Sequence, residues 1–303
     1  MLARKGFLIS ALLVIMVCIM SACSLPGASA STGQVLQNSV NAMKQLKTAH
    51  IDMTFADSVQ MPNFATSSPS SSKVPTEITI KMQGGGDEVL PDQASMHFTM
   101  DMGSVGKGLK FAEIVKGKQL YIQNSKGQWY VLNESALQGS TGTGNLFGGT
   151  NAAQYNQLIA LAQKAHFTDH GSETLNGQSL RHITATFGKD VLKDLLNSLG
   201  QTPKGVDQQT LDKLLSQIQV KNATLDLWID EGTSYVHRME MKFQMVMNLG
   251  SMMTPTTTSQ QGMPTSITSN IDTLIDYSKF NDPITINAPA NAIPTTNMLT
   301  IFQ

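Results

Sequence analysis

From Tyr235 to Leu249 the chain alternates with a period of two. Met239, Met241, Phe243, Met245, Met247 and Leu249 take one phase, and Arg238, Glu240, Lys242, Gln244 and Asn248 take the other. A helix would scatter that apolar set round its surface, whereas a strand gathers it on one face. A long strand with one dry and one wet face belongs in an antiparallel sheet. The dry phase is mostly methionine, although strand interiors generally favour Val, Ile, Phe and Tyr. Methionine is flexible and polarisable, suited to irregular gaps and to surfaces that accept variable partners. Such a face is either a methionine-rich core or the wall of a ligand site, and periodicity does not separate the two.

The rest of the chain repeats the theme. Leu36, Val40, Met43 and Leu46 recur at helical spacing and predict a helix from about Gln34 to Lys47. The period then changes to two. Ile51, Met53 and Phe55 alternate with polar residues, as do Ile78, Ile80 and Met82, and then Met96, Phe98, Met100 and Met102. Shorter strands are expected at Phe111–Val115, Leu120–Gln123 and Trp129–Leu132, with a turn at Lys126-Gly127. Beyond a glycine-rich loop, Gly139–Gly149, a helix is expected at Ala152–Lys164, followed by strands at Phe167–Thr174 and Ser179–Phe187 about the Asn176-Gly177 turn. Helical segments at Asp190–Leu199 and Asp207–Ile218 precede strands at Ala223–Asp230 and Tyr235–Leu249. A last strand is expected at Ile267–Phe280, and the Pro283–Pro294 region reads as extended.

The N-terminus has the layout of a secretory signal: Arg4 and Lys5, an apolar run from Phe7 to Met20, then Ser21-Ala22. Cys23 follows directly and resembles the acylated cysteine of a bacterial lipobox, with Met20 where leucine is usual. Two other readings stand beside it. One is an ordinary signal cut near Ala28 or Ala30, with Cys23 lost. The other is a retained membrane helix, for which the apolar run falls short of the ~20 residues that a span requires. The lipobox reading divides the chain into a signal peptide (1–22), a flexible tether (23–32) and a single domain (33–303). It places the protein outside the cytoplasm, anchored to the cell membrane by lipidated Cys23. Loss of residues 1–22 moves the formal net charge from -1 to -3. No basic stripe for nucleic acid is evident. Cys18 lies within the signal, so a lipidated chain has no thiol left for a disulfide, and its stability rests on a hydrophobic core.

Catalytic and metal motifs do not assemble. His166 and His170 are four residues apart beside Asp169, but no third ligand lies near, and they read as solvated loop histidines. Gly139–Gly149 lacks the G-K-[ST] ending of a phosphate cradle, and no G-x-S-x-G elbow occurs. Asp226 and Asp230 read as solvated face residues, and Trp129 and Trp228 as core or rim. The expectation is a protein that is not an enzyme and needs no cofactor or metal.

Several phrases, in order, carry a resemblance. They are Gly117-Lys118-Gln119-Leu120-Tyr121-Ile122 with Gly127-Gln128-Trp129-Tyr130, then Leu175-Asn176-Gly177 and Leu227-Trp228-Ile229-Asp230. The series closes on Tyr277-Ser278-Lys279-Phe280-Asn281-Asp282-Pro283-Ile284-Thr285-Ile286 followed by Ala288-Pro289. Together with the lipobox they resemble the LppX/LprG-type lipoproteins of the LolA-like superfamily. The resemblance implies an α+β fold in which a curved antiparallel sheet, a half-barrel, wraps around helices and encloses an apolar cavity. It also implies binding of an acyl lipid or similar apolar ligand, and lipid transfer within the envelope. The Ser67–Ser72 insert and the Ser251–Thr265 loop depart from that pattern, so the ligand's identity does not carry over. Met96, Phe98, Met100, Met241, Phe243 and Met245 are the candidate cavity wall. An envelope sensor or scaffold that binds a protein partner without lipid cargo is the alternative.

Overall fold

The computed structural model describes residues 30–62, 76–103, 106–133, 165–188, 216–248, 266–296 and 301. One helix, α1 (Thr32–Lys44), opens it. Strands β1 (Thr48–Gln60), β2 (Glu77–Val89), β3 (Gln93–Asp101), β4 (Leu109–Lys116), β5 (Gln119–Gln123) and β6 (Trp129–Asn133) follow. Then come β7 (His166–Leu175), β8 (Gln178–Phe187), β9 (Ile218–Ile229), β10 (Val236–Asn248), β11 (Ser266–Ser278) and the short β12 (Ile293–Pro294). The helices expected at 152–164 and 190–199 lie outside the described residues, as do residues 207–215 of the helix expected at Asp207–Ile218, Cys23, the glycine-rich loop, the Ser67–Ser72 insert and Leu249.

The twelve described strands form one open, curved sheet in the order β12-β6-β5-β4-β3-β2-β1-β11-β10-β9-β8-β7. Two meanders, β1–β6 and β7–β11, join where β1 pairs with β11 over His50↔Ser278 to Gln60↔Thr268. Every pairing is antiparallel except β12 on β6. The turns follow local chemistry. Asn176 and Gly177 both have positive φ (52° and 81°), as a two-residue hairpin requires. At the β5–β6 turn the Asn124 side chain accepts from the backbone N–H groups of Lys126 and Gln128.

Register carries the apolar phase from strand to strand. Leu225, Met241, Thr273, Phe55, Met82 and Met100 share one row across β9, β10, β11, β1, β2 and β3. The neighbouring row runs Leu227, Met239, Ile275, Met53, Gly84 and Phe98. Gly84 and Gly86 are needed on this face. A Cβ at Gly84 would overlap the Phe98 ring and the His97 carbonyl, and one at Gly86 would overlap the Ser95 carbonyl and press on the Met96 sulfur. Side chains from β3 therefore lie over bare β2 backbone.

Strand β9 differs from the sequence reading. It begins at Ile218, expected as the last residue of a helix, rather than at Ala223. Its register shifts against β10 between Lys242 and Gln244, where Asn222 adopts a positive φ of 53°. The bulge moves the inward phase from odd numbers (Leu225, Leu227) to even ones, so Val220 faces with Met245 and Ile218 with Met247. Without it, Lys221 and Gln219 would enter the apolar face. That phase break conceals the strand from a period-two reading.

Helix α1 lies on the apolar face at one end of the strands. Ser31 caps it, accepting from the Gln34 N–H, and Lys44 occupies its last turn, where the helix dipole favours a cation. Val35 packs with Ile183 of β8 and Ile229 of β9. Met43 and the following Leu46 join Ala49, Ile51, Met82, Ala94, Met96, Phe98 and Tyr277 in the main buried cluster. A helix of this length extends about 20 Å, close to the ~19 Å of four strand spacings that separate β9 from β2. Far from α1, Met245, Met247, Ile267 and Val59 are only half-buried.

Candidate functional site

The six sequence-chosen residues all stand on the apolar face, in two groups. Met96 and Phe98 are 4% and 2% exposed, packed in the cluster that includes Met43 and Leu46, and Phe98 stacks on Phe111 with ring centroids 5.0 Å apart. Met100 is half-buried against that cluster. Met241, Phe243 and Met245 are half-buried on β10. Met100 and Met241 occupy the same row but lie four strand spacings apart, about 19 Å along a flat sheet. Phe243 sits at the β9–β10 bulge, paired with Ile271 of β11.

This face is not wholly apolar. At the end away from α1, Asp57 projects beside Ser269, whose hydroxyl donates to its carboxylate over 2.7 Å. Nearer the helix are two carboxyls that period-two reading did not single out. Glu88 is 5% exposed, flanked in register by Ala49 and Ala94. Glu113 is flanked by Met96 and Ile122. Burial pushes each carboxyl up to about 7. Glu88 follows the side-chain-free run Gly84–Gly86, which has no alternation to read. Strand β4 is apolar in both phases, because Ile114 packs beneath Ile286 on the opposite face, so the phase of Glu113 gave no warning.

The opposite face is polar and heavily paired. Arg238 makes a two-pronged contact with Asp276 at 2.6 and 2.8 Å, and Lys242 meets Glu240 at 2.6 Å. A cleft of about 350 Å³ opens on this side, lined by Asp52, Thr54, Gln83, His97, Thr99 and Asp276. It is a different place from the apolar wall. His170 and Asp226 depart from the sequence reading. His170 belongs to strand β7 rather than a loop, donating to or accepting from the Thr184 hydroxyl at 2.8 Å. Asp226 is largely enclosed, sandwiched between the Thr184 hydroxyl and His182 Nε2. Trp228, His182 and His170 stack as a ladder, with centroids 4.3 and 4.4 Å apart, and Glu173 accepts from the Trp228 indole. Sequence separation hid the ladder, since its members come from three strands. No group of three or more metal-ligating side chains occurs among the described residues, and no described helix is long and apolar enough to cross a membrane.

A broad antiparallel sheet with one methionine-rich face, crossed at one end by a helix, defines the class. The chain belongs to the family described as "Family of unknown function (DUF6612)", which matches residues 31–297. No curated protein matches it in sequence. Among solved structures it is similar to the lipoprotein LppX of Mycobacterium tuberculosis, with 15% identity and a TM-score of 0.40 over 85% of this chain and 100% of that one. It is also similar to LprF of Mycobacterium bovis, with 17% identity and a TM-score of 0.42 over 85% of this chain and 96% of that one.

Proposed function

We propose that this is a membrane-anchored extracytoplasmic lipoprotein, not an enzyme, that binds a lipid or similarly apolar ligand against the methionine-rich face, for lipid transfer in the envelope. The signal-like N-terminus with Cys23 supports the anchor. The observation that carries the binding reading is the state of β10: Met241, Phe243 and Met245 project on the dry face yet remain half-buried, outside the clusters that the described residues pack. A filled core would enclose them as it encloses Met96 and Phe98. Each methylene taken from water onto such a surface gains about 0.8 kcal/mol, so a long acyl chain binds without a strong polar contact. Methionine tolerates differences in chain length and shape.

Phe243→Glu tests the assignment. A carboxylate there opposes an acyl chain, because its desolvation costs several kcal/mol or forces protonation. Lipid extracted from the purified protein should fall severalfold while the circular dichroism spectrum is retained. Outright unfolding would identify Phe243 as core and sink the reading.

A further inference from the structure

We propose that the cleft on the polar face binds a neutral saccharide, with one or two pyranose rings lying flat on the centre of the sheet. The site is independent of the apolar-ligand reading, because it lies on the other face.

Two neighbouring rows that cross β11, β1, β2 and β3 build it. One row runs Asp276, Asp52, Gly85, His97, and the next runs Leu274, Thr54, Gln83, Thr99. Four strands by two rows give a floor of about 14 by 7 Å. The volume, about 350 Å³, stands at the small end of ligand sites. Gly85 puts no side chain between Asp52 and His97, and the Asp52 carboxylate leans over it: a Cβ at Gly85 would lie 2.6 Å from Oδ1.

Unengaged polar groups set the cleft apart. Elsewhere on this face such side chains are paired: Arg238 with Asp276, Lys242 with Glu240, Gln244 with Asn270 and Thr184 with Asp226. Among the described residues no side-chain hydrogen bond or ion pair engages Thr54, Gln83, His97 or Thr99. Asp52, 66% exposed at its side chain, has only His50 Nε2 at 3.6 Å. Leu274 is the converse case. It is an apolar side chain in the wet phase of β11, flanked in register by Thr54 and Glu240.

The class of ligand follows from those groups. The described lining holds no lysine, and Arg238 alongside is committed to Asp276 by two bonds, so an anion finds no free cation there. No group of three metal-ligating side chains occurs among the described residues. An alkyl chain would cover two hydroxyls, an amide and a carboxylate without partnering them. A sugar hydroxyl both donates and accepts, as the threonine hydroxyls and the Gln83 amide do, and the Asp52 carboxylate accepts from two adjacent ring hydroxyls. Leu274 meets the C–H face of the ring, and the Asp52 charge disfavours an anionic sugar.

The full chain carrying Cys23→Ala keeps the anchor out of the test. Calorimetry and the imidazole resonances in NMR read its binding to maltose and to the disaccharide of N-acetylglucosamine. At least one should bind with a dissociation constant in the millimolar range or below. It should shift the His97 ring signals and leave those of His182, stacked on Trp228 on the same face, in place. Asp52→Asn with Thr54→Val and Thr99→Val should weaken binding at least fivefold with the circular dichroism spectrum retained. Gln244→Ala with Asn270→Ala, two rows further along the same face, should leave it unchanged. Flotation with phosphatidylcholine vesicles, with and without diglucosyldiacylglycerol, separates the two sources of such a ring. Co-flotation only with the glycolipid, lost in the triple variant, assigns a lipid headgroup, and disaccharide binding without it assigns a free glycan. Failure of both disaccharides to bind, binding that moves His182 instead of His97, or binding indifferent to the triple substitution overturns the site.

Discussion

Glu88 shows how one residue sets a condition for the whole fold. Its carboxyl keeps a proton to about pH 7 in the folded chain, while an unfolded chain releases it near 4.3. A folded-state pKa raised in this way contributes stability that is fully present below the unfolded value and is lost as pH rises through the folded one. With Glu113 shifted in the same direction, the protein should lose stability between pH 5 and pH 8, each residue contributing on the order of 2–3 kcal/mol. Thermal denaturation should show a lower midpoint at pH 8 than at pH 5, and Glu88→Gln should roughly halve that difference. An equal midpoint at both values in the wild-type protein would show that the carboxyls are hydrated and their shifts small. Neither glutamate was legible as an inward residue, for the local reasons already given: a glycine run before one and a strand apolar in both phases around the other.

At the scale of elements, a polar clasp holds α1 to the sheet. Arg181 of β8 is only 11% exposed at its side chain and contacts Asp169 at 2.7 Å and Glu231 at 2.9 Å. It also donates to the Ala30 carbonyl, while the Thr32 hydroxyl donates to Asp169. These bonds hold the Asp169 carboxyl well below the usual carboxylate range, with the Arg181 hydrogen bond the largest cause. Arg181→Ala should therefore free the N-terminus of α1 and cost about 2 kcal/mol. Urea denaturation would measure it, and an unchanged midpoint would mean that Val35 packing alone positions the helix. The other end of α1 is tied by the Tyr277–Pro283 phrase. Asn281 accepts from the Lys47 N–H at 2.9 Å and donates to the Tyr235 hydroxyl at 2.7 Å, and Phe280 stacks on Tyr235 at 4.7 Å. A phrase that carried the family resemblance thus closes the fold. The alternation of β10 was readable because its phase is unbroken along the β11 pairing. That of β9 was not, since the Asn222 bulge reverses it.

For the whole molecule, the proposed anchor gives the cleanest prediction. Cys23→Ala should move the protein from the membrane fraction to the soluble exported fraction, because stable anchoring requires two or more acyl chains and this substitution removes them all. Retention on membranes after a salt wash would refute lipidation at Cys23. The apolar face behaves as a second whole-molecule property, assembled from strands far apart in sequence. Local sequence alone determined that most segments are strands, where the Asn176-Gly177 and Lys126-Gly127 turns fall, and which phase of β10 is dry, because each depends only on neighbouring residues and backbone sterics. It could not decide that β1 would pair with β11, joining two meanders into one sheet, since that pairing links residues more than two hundred positions apart. Nor could it separate Met96 and Phe98, enclosed beneath the helix, from the half-buried Met241 and Phe243. Identical alternation describes both sets, and among the described residues it is the packing of α1 over one end of the sheet that encloses the first.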